Sequence, residues 1–176
     1  MRSVFSARLE PSNDPEGGWR WWMAVWLPVL LAITVIVIES TGTFSAQNTS
    51  SWLRPVFEKV VGAISNRAWD QLHHYLRKTG HFVGYGTVGF TFLRAWLHTR
   101  ARRGLSSLLA WRAECTVLAI LSTAIVATCD EFHQHFLPSR TGTPVDVLLD
   151  TSGACTLCLA VWLIFWRSRA EDVWQP

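Results

Sequence analysis

The sequence predicts an all-α integral membrane protein, a bundle of four transmembrane helices with short amphipathic extracytoplasmic helices between the first and second spans. Three observations carry that reading. Apolar residues make up 49% of the 176 positions against 16% charged ones. They concentrate in four stretches, and the basic residues are shared unevenly between the connections. The stretches are residues 21–38, 81–97, 115–129 and 147–166; the first and third carry no charge, the second only Arg94 and the fourth only Asp150. Each approaches the roughly 20 residues that cross a hydrocarbon core about 30 Å thick. A soluble four-helix bundle would need a polar face recurring every three to four residues, and residues 21–38 and 115–129 have none.

Residues 1–18 are polar, with Pro11, Pro15 and a Gly17-Gly18 pair, and read as a cytoplasmic tail ahead of a membrane domain at residues 19–170. The first span is longer than a signal-peptide core, and ESTGTFSAQ offers no small-x-small cleavage site after it, so it is expected to stay as an anchor. Pro28 lies one to two turns inside and weakens or kinks that helix. Between the first and second spans, Ser50 or Ser51 with Pro55 predicts a helix running through Val61, and residues 68–76 predict another, with Trp69, Leu72 and Leu76 at helical spacing. Gly80, Gly84, Gly86 and Gly89 give the second span a smooth strip for close helix packing. The third span is expected to run on through Phe136 and to stop at Pro138; Thr143-Pro144 starts the fourth.

Four spans put both termini and the connection after the second span on one side, with Arg2, Arg8, Arg20, Arg94, Arg100, Arg102, Arg103, Arg112, Arg167 and Arg169. Arg54, Lys59, Arg67, Arg77, Lys78 and Arg140 fall on the other. The basic excess predicts cytoplasmic termini. Nine of the eleven tryptophans also fall toward that inner boundary, consistent with an interfacial belt. The net charge of +3 is then a topological signal, and a nucleic-acid partner is not expected. Cys115, Cys129, Cys155 and Cys158 lie in apolar segments as small hydrophobes, the CxxC pair included.

The chemistry concentrates in residues 130–150, between two lipid-soluble segments, where Asp130, Glu131, His133, Gln134, His135, Arg140, Asp146 and Asp150 occur together. A charge at the bilayer centre costs about 2.5–3.5 kcal/mol on insertion scales, so these groups are expected to face one another and not lipid. Lys78, His81 and Tyr85 recur at helical spacing on the outer end of the second span and converge with them in this topology. His98 and the His73-His74 pair are expected away from this cluster, at the surface.

RKTGHFVGYGTVGF, with Lys78, His81, Phe82 and Tyr85, followed by DEFHQHFLPSRTGTPVDVLLDTSG, resembles the VanZ-like membrane protein family. The resemblance covers about residues 35–165, with Gly84 where family members often carry a polar residue and Asp150 where many carry asparagine. It implies a bacterial inner-membrane protein with a role in the cell envelope and in teicoplanin (glycopeptide) resistance, and it implies no settled reaction.

Several roles stay open at this level. The cluster is a structural polar network fixing four helices, or a site where Lys78, His81, Tyr85, Gln134, Arg140, Asp146 and Asp150 bind a lipid headgroup, a lipid-linked cell-wall precursor or a glycopeptide. Alternatively it is a hydrolase or transferase centre with Asp130, Glu131, His133 and His81 as acid–base groups. A divalent cation on Asp130, Glu131, Asp146 and Asp150 would serve such a centre by activating water. A transporter is a further class, to which four helices without a repeat give little support.

Overall fold

The computed structural model describes residues 18–100, 108–138 and 142–166, and these are all-helical with no strand. Residues 1–17 of the tail and residues 101–103 of the RARR run therefore lie outside the described residues, as do Arg140, Arg167 and Arg169. Five helices follow in order: α1 (Trp19–Glu39), α2 (Ala46–Val61), α3 (Asn66–Thr99), α4 (Leu108–His135) and α5 (Pro144–Val161). A 3₁₀ turn at Gly42–Phe44 joins α1 to α2, and a π turn at Trp162–Trp166 continues α5.

Helix α3 is the centre of the bundle, packing against α1, α4 and α5, while α4 also packs on α5. Small residues permit this. A Cβ on Gly89 would lie 2.6 Å from the Cβ of Ala154, and one on Gly86 would lie 3.2 Å from the carbonyl oxygen of Gly153, so α3 and α5 meet nearly backbone to backbone. On the neighbouring face a Cβ on Gly84 would lie 3.0 Å from Ile36 of α1. Gly80 faces open space and takes no part in the strip.

Helices α1 and α4, and α5 with the turn after it, are each long and apolar enough to cross a membrane. Their outward faces carry Leu30, Leu31, Val35, Leu121, Ile125 and Leu159, all more than half exposed, the pattern of a lipid-facing surface. The expected second span does not reach that apolarity, because Arg94, His81, three glycines and two threonines dilute it. Its place in the middle of the bundle replaces apolar character with packing: Tyr85, Val88, Leu93 and Ala95 are buried.

Pro28 lies inside α1 and has no N–H for the carbonyl of Ala24, four residues earlier. Arg94 of α3 answers this, its Nη1 donating to the carbonyl oxygens of Ala24 at 3.3 Å and Val25 at 3.2 Å. The tryptophans at the same end do more than line an interface. Trp19, Trp21 and Trp22 are exposed, but Trp26 packs edge-on against Phe92 and Trp96, and Trp111, Trp96 and Trp162 donate across helices or turns.

Two expectations for the region between the first and second spans are corrected. Helix α2 starts at Ala46 with Ser45 as its cap, whose Oγ accepts from the Asn48 N–H, so Ser50, Ser51 and Pro55 lie within the helix. It ends where expected, at Val61, with Gly62 at φ +93°. The stretch 68–76 is no separate helix: it is the first third of α3, capped by Ser65, since nothing between Thr79 and Phe82 breaks the helix. Arg54 holds the α2–α3 link, donating to Glu58, Asn66 and the carbonyl of Ile64 at 2.9 Å each.

Candidate functional site

The helix turns that carry polar groups come together at one end of the bundle: the end of α1, the middle of α3, the end of α4 and the start of α5. Each is placed by local chemistry. Helix α4 runs to His135 and closes short of Pro138; Thr143 caps α5, accepting from the Asp146 N–H at 3.3 Å and donating to Asp146 Oδ2 at 2.9 Å, with Pro144 in the first turn.

Asp130 sits in a closed network. Its Oδ2 accepts from Ser40 Oγ at 2.8 Å, Tyr85 Oη at 2.9 Å and Gln134 Nε2 at 2.9 Å, tying α1, α3 and α4 together. Gln134 Nε2 also reaches Ser40 Oγ at 3.2 Å. All four residues are buried. Three donors on one oxygen satisfy this carboxylate internally and make it a junction between helices.

Beside it lies a cavity of about 240 Å³ lined by residues from four helices: Ala46 and Gln47 of α2; His73, His74, Arg77, Lys78 and His81 of α3; Glu131 and Gln134 of α4; Asp146, Leu149 and Asp150 of α5. Lys78 Nζ pairs with Asp146 Oδ1. Glu131 Oε2 accepts from the backbone N–H of Thr143 at 2.9 Å. His81 Nδ1 lies 3.5 Å from Asp150 Oδ1, and its ring stacks on Tyr85 with centroids 6.2 Å apart. Asp150 is 0% exposed, and neither of its carboxylate oxygens has a hydrogen-bond partner among the described residues.

The predicted groups therefore divide. Lys78, His81, Glu131, Gln134, Asp146 and Asp150 line the cavity; Tyr85 and Asp130 form the network behind it. His133 stands apart, exposed along with His135, because α4 turns residues 130, 131 and 134 inward and residues 132, 133 and 136 outward. Phe132 and Phe136 share that outer side, with ring centroids 5.0 Å apart. Of the four carboxylates expected to collect a cation, Asp130 is engaged by three donors and Asp146 by Lys78. One donor atom from each of His81, Glu131 and Asp150 lies within 4.8 Å of the other two, so the candidate set is this trio. Arg140 lies outside the described residues.

The expectation that His73 and His74 lie away from the cluster is overturned, since both line the cavity. His73 is buried, stacks on Trp69 at 5.5 Å and shares a 3.0 Å hydrogen bond with Thr49 of α2. Burial first, then the charge of Arg77 one turn on, holds its pKa below the ordinary histidine range, against a smaller opposing pull from Asp70. Ser40 and Arg77 were missed as well. A signal for Arg77 was present: His73, Arg77, His81 and Tyr85 follow one another at four-residue spacing, a single face once α3 is continuous. Ser40, the first residue after α1, had only its place at the end of an apolar run.

The VanZ/LLP1 family model matches residues 24–169. No curated protein and no solved structure matches the chain. The match takes in every helix that contributes to the cavity and the network, and the chain is a membrane protein belonging to the VanZ/LLP1 family.

Proposed function

We propose that this protein binds the phosphate-bearing headgroup of a lipid-linked envelope precursor at the extracytoplasmic face of a bacterial inner membrane. In this reading α3 crosses the membrane as the second of four spans, the termini are cytoplasmic, and α2 with the first turns of α3 roofs the cavity from outside. The uneven distribution of arginines supports the orientation.

The observation that carries the ligand class is the arrangement of one turn of α3. Lys78 and His81 line the polar cavity, whereas Thr79 and Gly80 between them line a groove of about 520 Å³ between α1 and α3. Ala32, Val35, Ile36 and Val83 give that groove its apolar wall. A polar chamber and an apolar groove on adjacent sides of one helix suit an amphiphile, its head against Arg77 and Lys78 and its chain along α1. Size favours a headgroup over an entire glycopeptide antibiotic: about 240 Å³ is smaller than the roughly 300–1,000 Å³ of pockets that engulf drug-sized ligands. Arg140 is a further phosphate partner proposed from sequence.

The test is equilibrium binding of a long-chain polyprenyl phosphate, the matching polyprenol and teicoplanin to the purified full chain in detergent. Saturable binding of the phosphate alone, weakened at least tenfold in Arg77→Gln/Lys78→Gln, is the expected result. Equal binding of alcohol and phosphate, or tight binding of teicoplanin instead, would overturn the assignment.

A further inference from the structure

We infer that His81, Glu131 and Asp150 form a divalent-cation site, suited to zinc, whose remaining coordination position opens into the cavity. Asp150 makes the case. A carboxylate with no exposed surface and no hydrogen bond to either oxygen among the described residues is costly to keep ionised, and the three neighbouring acids all have donors. Asp130 has three donors, Asp146 has Lys78 and Glu131 has the Thr143 N–H. Among the described residues, the one basic group within 4.0 Å of an Asp150 carboxylate oxygen is the His81 imidazole at 3.5 Å, and no hydrogen bond joins the two.

The three donor atoms lie within 4.8 Å of one another. Tetrahedral zinc with bonds of about 2.0–2.2 Å holds its ligands about 3.3 Å apart, so side-chain rotation of an ångström or so closes the set. One imidazole nitrogen and two carboxylate oxygens suit zinc better than magnesium, which prefers oxygen ligands and retained water. A divalent charge also balances two carboxylates buried together. The Thr143 N–H on Glu131 is the kind of outer contact that orients a ligating carboxylate. Three protein ligands and one position facing a cavity is the arrangement of zinc sites that act on a bound molecule, which sets this trio apart from the closed junction at Asp130.

This deepens the phosphate reading and its use to the cell rests on that reading, since the cation would meet the headgroup between Arg77 and Lys78. Zinc binding itself is measured without any lipid, so the two assignments fail separately. The experiment titrates zinc alone into chelator-stripped, detergent-purified full chain, against a competing chromophoric chelator and with metal content read by mass spectrometry. One zinc per chain is expected, with affinity lowered at least about 100-fold in Asp150→Asn and in His81→Ala, and unchanged in His133→Ala/His135→Ala. Thermal unfolding of the metal-free variants guards against loss through misfolding: Asp150→Asn is expected to melt no lower than the parent. Absence of stoichiometric binding would overturn the site, as would zinc retained by both Asp150→Asn and His81→Ala or lost on removing His133 and His135.

Discussion

Tyr85 donates its hydroxyl hydrogen to Asp130 Oδ2 at 2.9 Å, joining the central helix to α4 where both side chains are buried. Ser40 and Gln134 complete the junction, so three helices depend on one carboxylate oxygen. Tyr85→Phe removes one donor of three and is expected to cost about 1–2 kcal/mol. Asp130→Ala strips the acceptor from three buried donors and is expected to cost more. Thermal unfolding in detergent checks the order; equal melting of the two variants and the parent would contradict the junction.

Helix α3 approaches α5 at Gly89, where the Ala154 methyl fills the space a side chain would need. Gly89→Val is expected to destabilise by about 1–3 kcal/mol through overpacking. Gly80→Ala meets open space and is expected to be neutral or slightly stabilising, through its better helix propensity. Comparing the two melting temperatures tests whether the glycine strip is a packing surface over part of its length only.

His73 makes the contact between α2 and α3 sensitive to acid. Burial lowers its pKa in the folded chain, so an unfolded or undocked segment binds the proton first. Docking is therefore at full strength above the ordinary histidine pKa of about 6.5 and weakens as pH falls below it. Hydrogen exchange of the α2 amides from pH 7.5 to 5.5, corrected for intrinsic rates, is expected to quicken in the parent. It is expected to stay flat in His73→Gln, and an equal response in both would assign the effect elsewhere.

Most of the fold was legible because uninterrupted apolar runs have few alternatives to α1, α4 and α5. The central helix was harder. It joins a polar third to an apolar remainder with no proline between them, and a reading organised by hydropathy divides it where the composition changes. That division also concealed His73 and Arg77, which share a face with His81 only when the helix is unbroken. The local spacing after Cys129 put His133 and Gln134 beside Asp130, and Gln134 and His135 beside Glu131, yet only Gln134 shares the buried side and both histidines are exposed. Which carboxylates are satisfied was not readable at all. Ser40 and Tyr85 reach Asp130 from 90 and 45 residues away, and only the packed bundle shows that Asp150 has no such donors among the described residues.

The central claim is that the cavity faces outward and that α3 crosses the membrane to place it there. Lys78 lies at the cavity and Arg100 just beyond the other end of the same helix. The most direct measurement is labelling of Lys78→Cys and Arg100→Cys, each in a background with the four native cysteines replaced, by a membrane-impermeant maleimide on intact cells. The account predicts labelling at position 78 from outside and at position 100 only after permeabilisation. Labelling of both positions from the same side, or of position 100 alone in intact cells, would contradict it.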